Sequence, residues 1–324
     1  MSTSTSRDPI PTRALRTSFI WLSHRKALGR LSTRIPITRP MVRRFIAGES
    51  LAEVLPALER LRDAGYLTTV DVLGESVDSA DACGLAAGRY EETLEALAAQ
   101  GLERNVSLKL TQMGLDIDRD LCRDTVARVF RKAAAVGAFV RIDMEDHTKT
   151  DKTLELWREL RPLNPESGVV IQSALHRSPA DVEMLITEGA RVRLCKGAYN
   201  EPASVALRER DAVNDAYEAQ ARRLMADGNY PAIATHDGRL IGRLIRWAEG
   251  EGIPRDRYEF QMLHGIRRDL QGQLLERGYR VRVYVPYGTQ WYPYFMRRLA
   301  EKPANVTFML RSLMKEGTGG PSRD

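Results

Sequence analysis

The sequence predicts an α/β protein: a (β/α)8, TIM-like barrel with an N-terminal helical arm and a C-terminal helix over the barrel mouth. Eight short runs rich in β-branched residues begin at Leu67, and stretches with helical periodicity separate nearly all of them. Strict alternation of strands and helices favours parallel strands joined by right-handed crossovers. The chain has 324 residues, and a closed barrel of eight such units needs about 250.

Each run ends in glycine, proline or polar turn residues, which sets the limits of the elements. Strands are predicted at residues 67–73, 104–111, 138–145, 168–173, 190–196, 231–235, 257–263 and 280–286. Helices are predicted at residues 41–64, 81–100, 119–135, 203–226, 239–251 and 294–301. With no internal repeat or linker, we expect a basic arm at residues 1–40, one barrel domain at 41–316 and a disordered tail at 317–324.

The composition argues against several classes of protein. Cys83, Cys122 and Cys195 are irregularly spaced and lack a CxxC pair or a histidine cluster, so we expect neither a disulfide framework nor a metal site. The lack of a disulfide framework favours a reducing cytoplasm. No apolar stretch approaches the ~20 residues that span a bilayer, and no signal peptide is evident, which predicts a soluble protein. Rossmann and P-loop nucleotide sites are unsupported because their glycine motifs are absent from the sequence.

Positive charge is concentrated near the N-terminus. Residues 11–44 hold nine Arg or Lys side chains and no Asp or Glu, whereas the whole chain has a net charge of +6. Such an arm could meet anionic lipid or nucleic acid, and its serine-rich, acid-free composition also fits a transit peptide. We favour a solvated arm packed on the barrel, which requires no nucleic-acid partner.

Alternation within the strands predicts which side chains enter the barrel. Lys109 alternates with Leu108 and Leu110, and Asp143 alternates with Ile142. The same reasoning directs six polar side chains toward the barrel axis, namely Lys109, Asp143, Gln172, Arg193, Gln261 and Tyr284. Barrel interiors are usually filled by Val, Ile and Leu, because a desolvated ion is costly unless it is paired. We therefore predict an active site at the C-terminal strand ends; the alternative is a purely structural salt-bridge network around Asp143.

The predicted helix at residues 294–301 carries a second polar cluster. Tyr294 precedes Arg297 by three residues and Arg298 by four, and Glu301 follows the two arginines, so all four side chains can be neighbours. Two guanidiniums beside one carboxylate keep a residual positive charge and free donors, which suits a small carboxylate ligand. The alternative is an exposed helix with ordinary ion pairs.

Two strand ends carry residues with more than one possible role. His236 lies at the end of the sixth run, where it could be a base, a hydrogen-bond partner or an ordinary side chain whose hydrogen bonds are satisfied. Lys196 follows the fifth run, where a lysine can form a Schiff base or hold a phosphate, and Gly197 permits close approach of the backbone to a phosphate. Two other functions thus stay open: a Schiff-base aldolase that uses Lys196, and a nucleic-acid or membrane-surface binder that uses the basic arm.

Taken together, residues 45–305 resemble proline dehydrogenase, the FAD-dependent family that oxidises L-proline, in its short monofunctional bacterial form. The most specific segments are DVLGE at 71–75, SLKL at 107–110, IDMED at 142–146, VIQ at 170–172, RLCKGAY at 193–199, THD at 235–237, YEFQMLHG at 258–265 and YVPYG at 284–288. The order of these segments and the arginine helix after them make coincidence implausible.

The resemblance implies a role for each matching substrate residue. Arg297, Arg298 and Lys109 would bind the proline carboxylate, and Asp143 would serve catalysis by orienting Lys109 and the neighbouring charges. Glu75 resembles the acid that pairs with the arginine helix when no substrate is bound, which implies a lid that opens and closes. The pocket would be completed by Leu263, Tyr284, Tyr294 and Glu301.

The resemblance also implies a flavin site. Arg193 would place its guanidinium beside the flavin locus that accepts the hydride, where a positive charge stabilises the anionic reduced flavin. Gln172 would contact the pyrimidine edge of the flavin. The ribityl chain, phosphates or ring would be held by Met144, Lys196, Gly197, Ala198, Thr235, His236 and Gln261.

The implied reaction passes a hydride from the ring carbon beside nitrogen to FAD and gives Δ1-pyrroline-5-carboxylate, the first step of proline catabolism to glutamate. A quinone would reoxidise the FAD, with peripheral contact at the inner membrane, and a pyrroline-5-carboxylate dehydrogenase would receive the product. A cationic pocket favours the neutral amine, so no strong general base is required. The chain departs from the bifunctional relatives at Asn200, where they carry an aromatic residue, and in a shorter segment between Tyr284 and Tyr294.

Overall fold

The computed structural model describes residues 44–74 and 76–301, with side chains given up to residue 296. Eight parallel strands form a closed barrel in which each strand pairs with the next and the eighth pairs with the first. The strands are β1 (Leu67–Val72), β2 (Asn105–Leu108), β3 (Phe139–Ile142), β4 (Gly168–Gln172), β5 (Arg191–Cys195), β6 (Ala232–Ala234), β7 (Glu259–Leu263) and β8 (Val281–Tyr287). The predicted (β/α)8 fold and all eight predicted strand positions are confirmed.

Helices precede the first strand, connect the strands and follow the last one. They are α1 (Leu51–Asp63), α2 (Ala80–Ala99), α3 (Arg119–Ala135), α4 (Thr150–Leu160), α5 (Ser178–Thr187), α6 (Arg210–Asp227), α7 (Gly238–Gly250), α8 (Arg268–Glu276) and α9 (Tyr292–Glu301). Side-chain caps explain several helix starts, because Ser79, Asp118 and Asp237 each accept a hydrogen bond from a backbone amide of the first helical turn. In the described part of the chain, no helix is long and apolar enough to cross a membrane.

The predicted helix at residues 203–226 starts too early, since α6 begins at Arg210. The residues before α6 pair instead with the loop that follows β4: the Leu207 amide donates to the Ala174 carbonyl at 2.8 Å, and the His176 amide donates to the Val205 carbonyl at 2.9 Å. A long-range backbone contact thus replaces the helical hydrogen bonds that the local periodicity suggested.

The predicted helix at residues 41–64 is also shorter in its described part, because α1 begins at Leu51 behind the cap of Ser50. The preceding residues run along β8, where the Ala47 amide donates to the Pro286 carbonyl at 3.0 Å and the Gly288 amide donates to the Gly48 carbonyl at 3.0 Å. The basic arm at residues 1–40 and the predicted tail at 317–324 lie outside the described residues.

Two apolar clusters hold the molecule together. The larger one fills the space between the outer face of the sheet and the helices. The smaller one packs α9 against the segment before α1: the ring of Phe295 lies 6.0 Å from that of Phe45 and 5.9 Å from that of Trp291, measured between centroids. The indole Nε1 of Trp291 also donates to Glu49 at 3.0 Å. These contacts hold α9 at the mouth of the barrel.

Candidate active site

A cavity of about 1970 Å³ opens at the C-terminal ends of the strands. Its wall includes every predicted site residue whose side chain is described, namely Lys109, Asp143, Met144, Gln172, Arg193, Lys196, Gly197, Ala198, Thr235, His236, Gln261, Leu263, Tyr284 and Tyr294. Arg297, Arg298 and Glu301 lie on α9, but their side chains are outside the described residues, as is the whole of Glu75. The cavity is therefore the meeting point of predicted residues that the sequence spreads over the ends of seven strands, β2 to β8, and over α9.

Asp143 is the hub of the cavity floor. It follows β3, and its carboxylate accepts hydrogen bonds from the Arg193 guanidinium at 2.7 Å and from the Tyr284 hydroxyl at 2.8 Å. The Lys109 ammonium lies 3.7 Å from the same carboxylate. Burial, followed by the negative charge of Asp143, raises the pKa of Tyr284 well above its usual value, so the hydroxyl remains a donor.

Asp71 is a site residue that the sequence reasoning did not assign. It lies on β1, is almost fully buried, and accepts hydrogen bonds from the Lys109 ammonium at 3.1 and 3.2 Å. Alternation within β1 could have identified it, because Asp71 shares an inward face with Thr69. Lys109 is thus held between two carboxylates from neighbouring strands, which fixes its ammonium at the cavity floor.

Arg193 is fixed through all three nitrogens of its guanidinium. Its Nε donates to Gln261 Oε1 at 2.5 Å, one terminal nitrogen donates to Asp143, and the other donates to the Ser107 hydroxyl at 3.0 Å. The guanidinium carbon also lies 5.1 Å from the centroid of the Tyr284 ring, within the range of a cation–π contact. Ser107, which the sequence reasoning also left unassigned, therefore helps to set the orientation of a predicted catalytic residue.

A second ionic layer lies beneath Arg193, deeper in the barrel. Gln261 Nε2 donates to Glu259 at 2.5 Å, and Glu259 accepts two hydrogen bonds from Arg282, at 2.7 and 3.0 Å. Burial is the largest single influence on the pKa of Glu259 and raises it, but the charge and hydrogen bonds of Arg282, the hydrogen bond from Gln261 and the charge of Arg141 together outweigh burial, so the pKa is lowered. The salt-bridge network around Asp143 that the sequence offered as a structural alternative is also present, and its members Lys109, Asp143 and Arg193 line an open cavity.

Gln172 and its neighbours form one wall. Its Nε2 donates to the Glu145 carbonyl at 2.8 Å, and its Oε1 accepts the Ala198 amide at 3.4 Å. Gly197 has φ of +116°, a conformation that favours glycine, and lets the chain turn back toward Gln172. The side-chain amide of Gln172 is thus oriented by backbone groups of two loops.

Lys196 and His236 line the cavity at the ends of β5 and β6. The Lys196 ammonium donates to Asn214 Oδ1 at 2.6 Å and lies 3.4 Å from the Asp237 carboxylate. Asp237 also accepts from backbone amides at the start of α7, and so occupies the position where a helix could bind a phosphate. His236 Nε2 accepts from the Leu263 amide at 2.9 Å, which leaves Nδ1 as the protonated nitrogen of the neutral ring.

Comparisons with known proteins point to one family. Residues 54–311 match the family model described as proline dehydrogenase. The chain is 42% identical over 280 residues to the proline dehydrogenase of Deinococcus radiodurans, covering 85% of this chain and 90% of that protein. It is 36% identical over 302 residues to proline dehydrogenase 1 of Bacillus subtilis subsp. natto, covering 93% of this chain and all of that protein.

A solved structure shows the same fold at a lower identity. Proline utilization A from Bdellovibrio bacteriovorus, in the form inactivated by N-propargylglycine, superimposes with a TM-score of 0.78 at 28% identity. The match covers 92% of this chain but only 38% of that one, so the present chain spans little more than a third of the larger protein. From the family match, the curated relatives and this shared fold, we conclude that the chain belongs to the proline dehydrogenase family.

Proposed function

We propose that this chain oxidises L-proline to Δ1-pyrroline-5-carboxylate with bound FAD, and that a quinone accepts the electrons from the flavin. The observation that carries the proposal is the convergence of Lys109, Asp143, Arg193 and Tyr284, from four strands, on the floor of one cavity. In this proposal the Lys109 ammonium serves the substrate and the fixed Arg193 guanidinium serves the cofactor, and both groups contact Asp143.

The cavity fits FAD in size and in charge. Its volume of about 1970 Å³ exceeds the ~300–1,000 Å³ of an ordinary small-molecule pocket. One side carries four cationic residues suited to phosphates: Lys196, Arg239, Arg243 and Arg267. Because Asp237 already occupies the start of α7, these side chains would hold the phosphates in place of a helix N-terminus.

The assignments for the cofactor follow the geometry of the walls. When bound, FAD would supply the two-electron acceptor. Gln172, held by two loops, would face the pyrimidine edge, and Arg193 would place its guanidinium beside the redox-active ring. The remaining contacts would come from Met144, Lys196, Gly197, Ala198, Thr235, His236 and Gln261.

The substrate would bind against the cavity floor and α9. Lys109 would bind the proline carboxylate together with Arg297 and Arg298, and Asp143 would act in catalysis by holding Lys109 and Arg193 in place. Leu263, Tyr284 and Tyr294 would surround the ring, and Glu301 would hold the arginines from the same helix. Glu75 would pair with those arginines when the substrate is absent.

No general base is needed in this proposal. The positive charges of Lys109, Arg297 and Arg298 near the substrate nitrogen disfavour protonation of that nitrogen and stabilise the neutral amine. The lone pair of the neutral amine assists oxidation of the adjacent carbon. Tyr284 serves as a hydrogen-bond donor, since its pKa is raised.

The competing aldolase gains no support from the surroundings of Lys196. Its nitrogen contacts a carboxylate and an amide oxygen, which are partners of a charged ammonium rather than of a nucleophilic amine.

The proposed domain organisation is a basic arm at residues 1–40, the barrel domain at 41–316 and a disordered tail at 317–324. We further propose a cytoplasmic location with peripheral membrane contact for quinone, and transfer of the product to a pyrroline-5-carboxylate dehydrogenase.

The proposal is tested with N-propargylglycine, the inactivator of the Bdellovibrio relative. The purified protein should carry flavin absorbance, oxidise L-proline with a soluble electron acceptor, and lose that activity on incubation with N-propargylglycine. Excess L-proline should protect it, which serves as the control. A colourless protein in which borohydride reduces a Schiff base between Lys196 and a carbonyl substrate would instead establish the aldolase.

A further inference from the structure

A line of buried polar side chains leads from the bottom of the barrel to Arg193. Glu259 and Gln261 lie two residues apart on β7 and therefore share its inward face. Gln261 contacts Arg193 on one side and Glu259 on the other, and Glu259 is bound by Arg282. Glu259, Gln261 and Arg282 are each at most 3% exposed, so water does not compete for these contacts.

The carboxylate of Glu259 fixes the orientation of the Gln261 amide. Glu259 offers only acceptors, and Nε of Arg193 offers only a donor. In the observed orientation the amide nitrogen of Gln261 faces Glu259 and its oxygen faces Arg193. The reversed orientation would place two acceptors together on one side and two donors on the other, which costs both hydrogen bonds.

We propose that Glu259 is a positioning residue for Arg193: acting through Gln261, it holds the guanidinium beside the flavin and thereby raises the reduction potential of the bound cofactor. The effect on the potential rests on the proposed function, whereas the effect on Arg193 does not. The bound guanidinium of Arg282 favours the ionised form of Glu259. Ionisation matters here because a protonated carboxyl could donate a hydrogen bond to Gln261 and would permit the reversed orientation of its amide.

The test is a double-mutant cycle on the flavin-loaded protein. The pair variant Glu259→Met/Arg282→Met removes the ionic pair without changing the net charge of the barrel floor, and replacement of both partners avoids an uncompensated buried charge. Its equilibrium between oxidised and reduced flavin should shift about tenfold toward the oxidised form, which is about 30 mV for a two-electron couple. In a Gln261→Met background the same pair of changes should produce no further shift, because the link to Arg193 is already broken.

Glu103→Gln is the matched control. Glu103 is partly exposed and accepts from Arg282 at 2.8 Å, but no described contact joins it to Gln261. This variant should leave the potential unchanged. If the pair variant fails to fold, Gln261→Met, which keeps the Glu259–Arg282 pair, should release the Arg193 guanidinium from its observed position in the flavin-free protein.

Crystal structures of the flavin-free proteins give a second readout. The Arg193 guanidinium should leave its observed position in the pair variant and keep it in Glu103→Gln. Equal shifts of potential in the two backgrounds, or an unmoved Arg193 in the pair variant, would overturn the proposal. A wild-type protein that binds no flavin would refute the proposed function, while the position of Arg193 would still decide whether Glu259 acts on it.

Discussion

At the scale of single residues, Asp143 shows how the site compensates for the desolvation of a carboxylate inside the barrel, a position that the sequence pattern predicts. A buried carboxylate is unfavourable unless it is paired. Here it accepts from Arg193 and Tyr284 and lies beside Lys109, so three other strands supply its partners. The same contacts leave the cationic groups of Lys109 and Arg193 at fixed places, as the proposed binding of an anionic substrate and a redox cofactor requires.

We predict that Arg298→Lys raises the KM for L-proline by about tenfold or more while flavin stays bound. A planar guanidinium can contact a carboxylate through two hydrogen bonds, whereas an ammonium acts as a point charge. Steady-state kinetics with a soluble acceptor, together with the flavin content, measure the two effects separately. Arg268→Lys, an exposed arginine outside the cavity wall, is the control and should leave KM unaltered. An unchanged KM in Arg298→Lys would rule out the assigned role.

Much of the site at this scale could be predicted from the sequence. Alternation along a strand is a local property, and it identified Lys109, Asp143 and Arg193 as inward-facing residues. Their pairing is not local: the contact of Lys109 with Asp71, like that of Arg193 with Gln261, depends on how distant strands align in the closed barrel. The sequence pattern therefore did not identify Asp71, or the hydrogen bonds that join Glu259 to Arg193 through Gln261.

At the scale of secondary-structure elements, α9 and the segment before α1 close the barrel mouth together. Aromatic contacts of Phe295 and Trp291 hold α9 there, and Gly265 in the loop after β7 lies directly against the backbone of Arg44. The sequence located α9 within two residues because its periodicity is local. It misplaced the starts of α1 and α6, since contacts with β8 and with the loop after β4 decide where those helices begin.

Two glycine substitutions test these elements in opposite directions. Gly265→Ala should lower the free energy of unfolding, because Gly265 has φ of +74° and a Cβ there would lie 1.8 Å from the Arg44 carbonyl oxygen. Gly88→Ala in α2 should raise it by about 0.5–1 kcal/mol, since alanine favours a helix and no atom lies within 4 Å of the added Cβ. Urea unfolding measures both. A more stable Gly265→Ala variant would show that the loop after β7 is not packed as described.

At the scale of the whole molecule, burial of tyrosines makes the fold sensitive to alkali. Burial is the largest cause that raises the pKa values of Tyr90, Tyr217 and Tyr284 well above their usual value. The unfolded chain loses these protons near pH 10, whereas the folded chain keeps them. The unfolded state therefore binds fewer protons above pH 10, and stability that is fully present below that pH is lost as the pH rises.

We predict that the free energy of unfolding falls above pH 10 by about 1.4 kcal/mol per pH unit for each such tyrosine. Tyr217→Phe removes one contribution, so its free energy of unfolding should fall less steeply than that of the wild type by that amount. Urea unfolding at pH 8 to 11 provides the measurement, and the difference between the two proteins cancels the titration of exposed lysines. Identical slopes would indicate that Tyr217 is not buried in a protonated form.

The assembled barrel brings distant segments of the chain together in one site. Each strand, or the loop that follows it, contributes polar side chains to the cavity, and no single segment holds enough of them to define a site. Closure of the sheet brings the strand ends together, and the helices outside supply the apolar core that offsets the cost of a charged interior.

An anaerobic titration with L-proline, followed by the visible absorbance of the bound flavin, tests the central claim most directly. We expect the flavin band to bleach as proline is added, and to return when a soluble quinone is supplied. A flavin spectrum that stays unchanged at saturating L-proline would contradict the account.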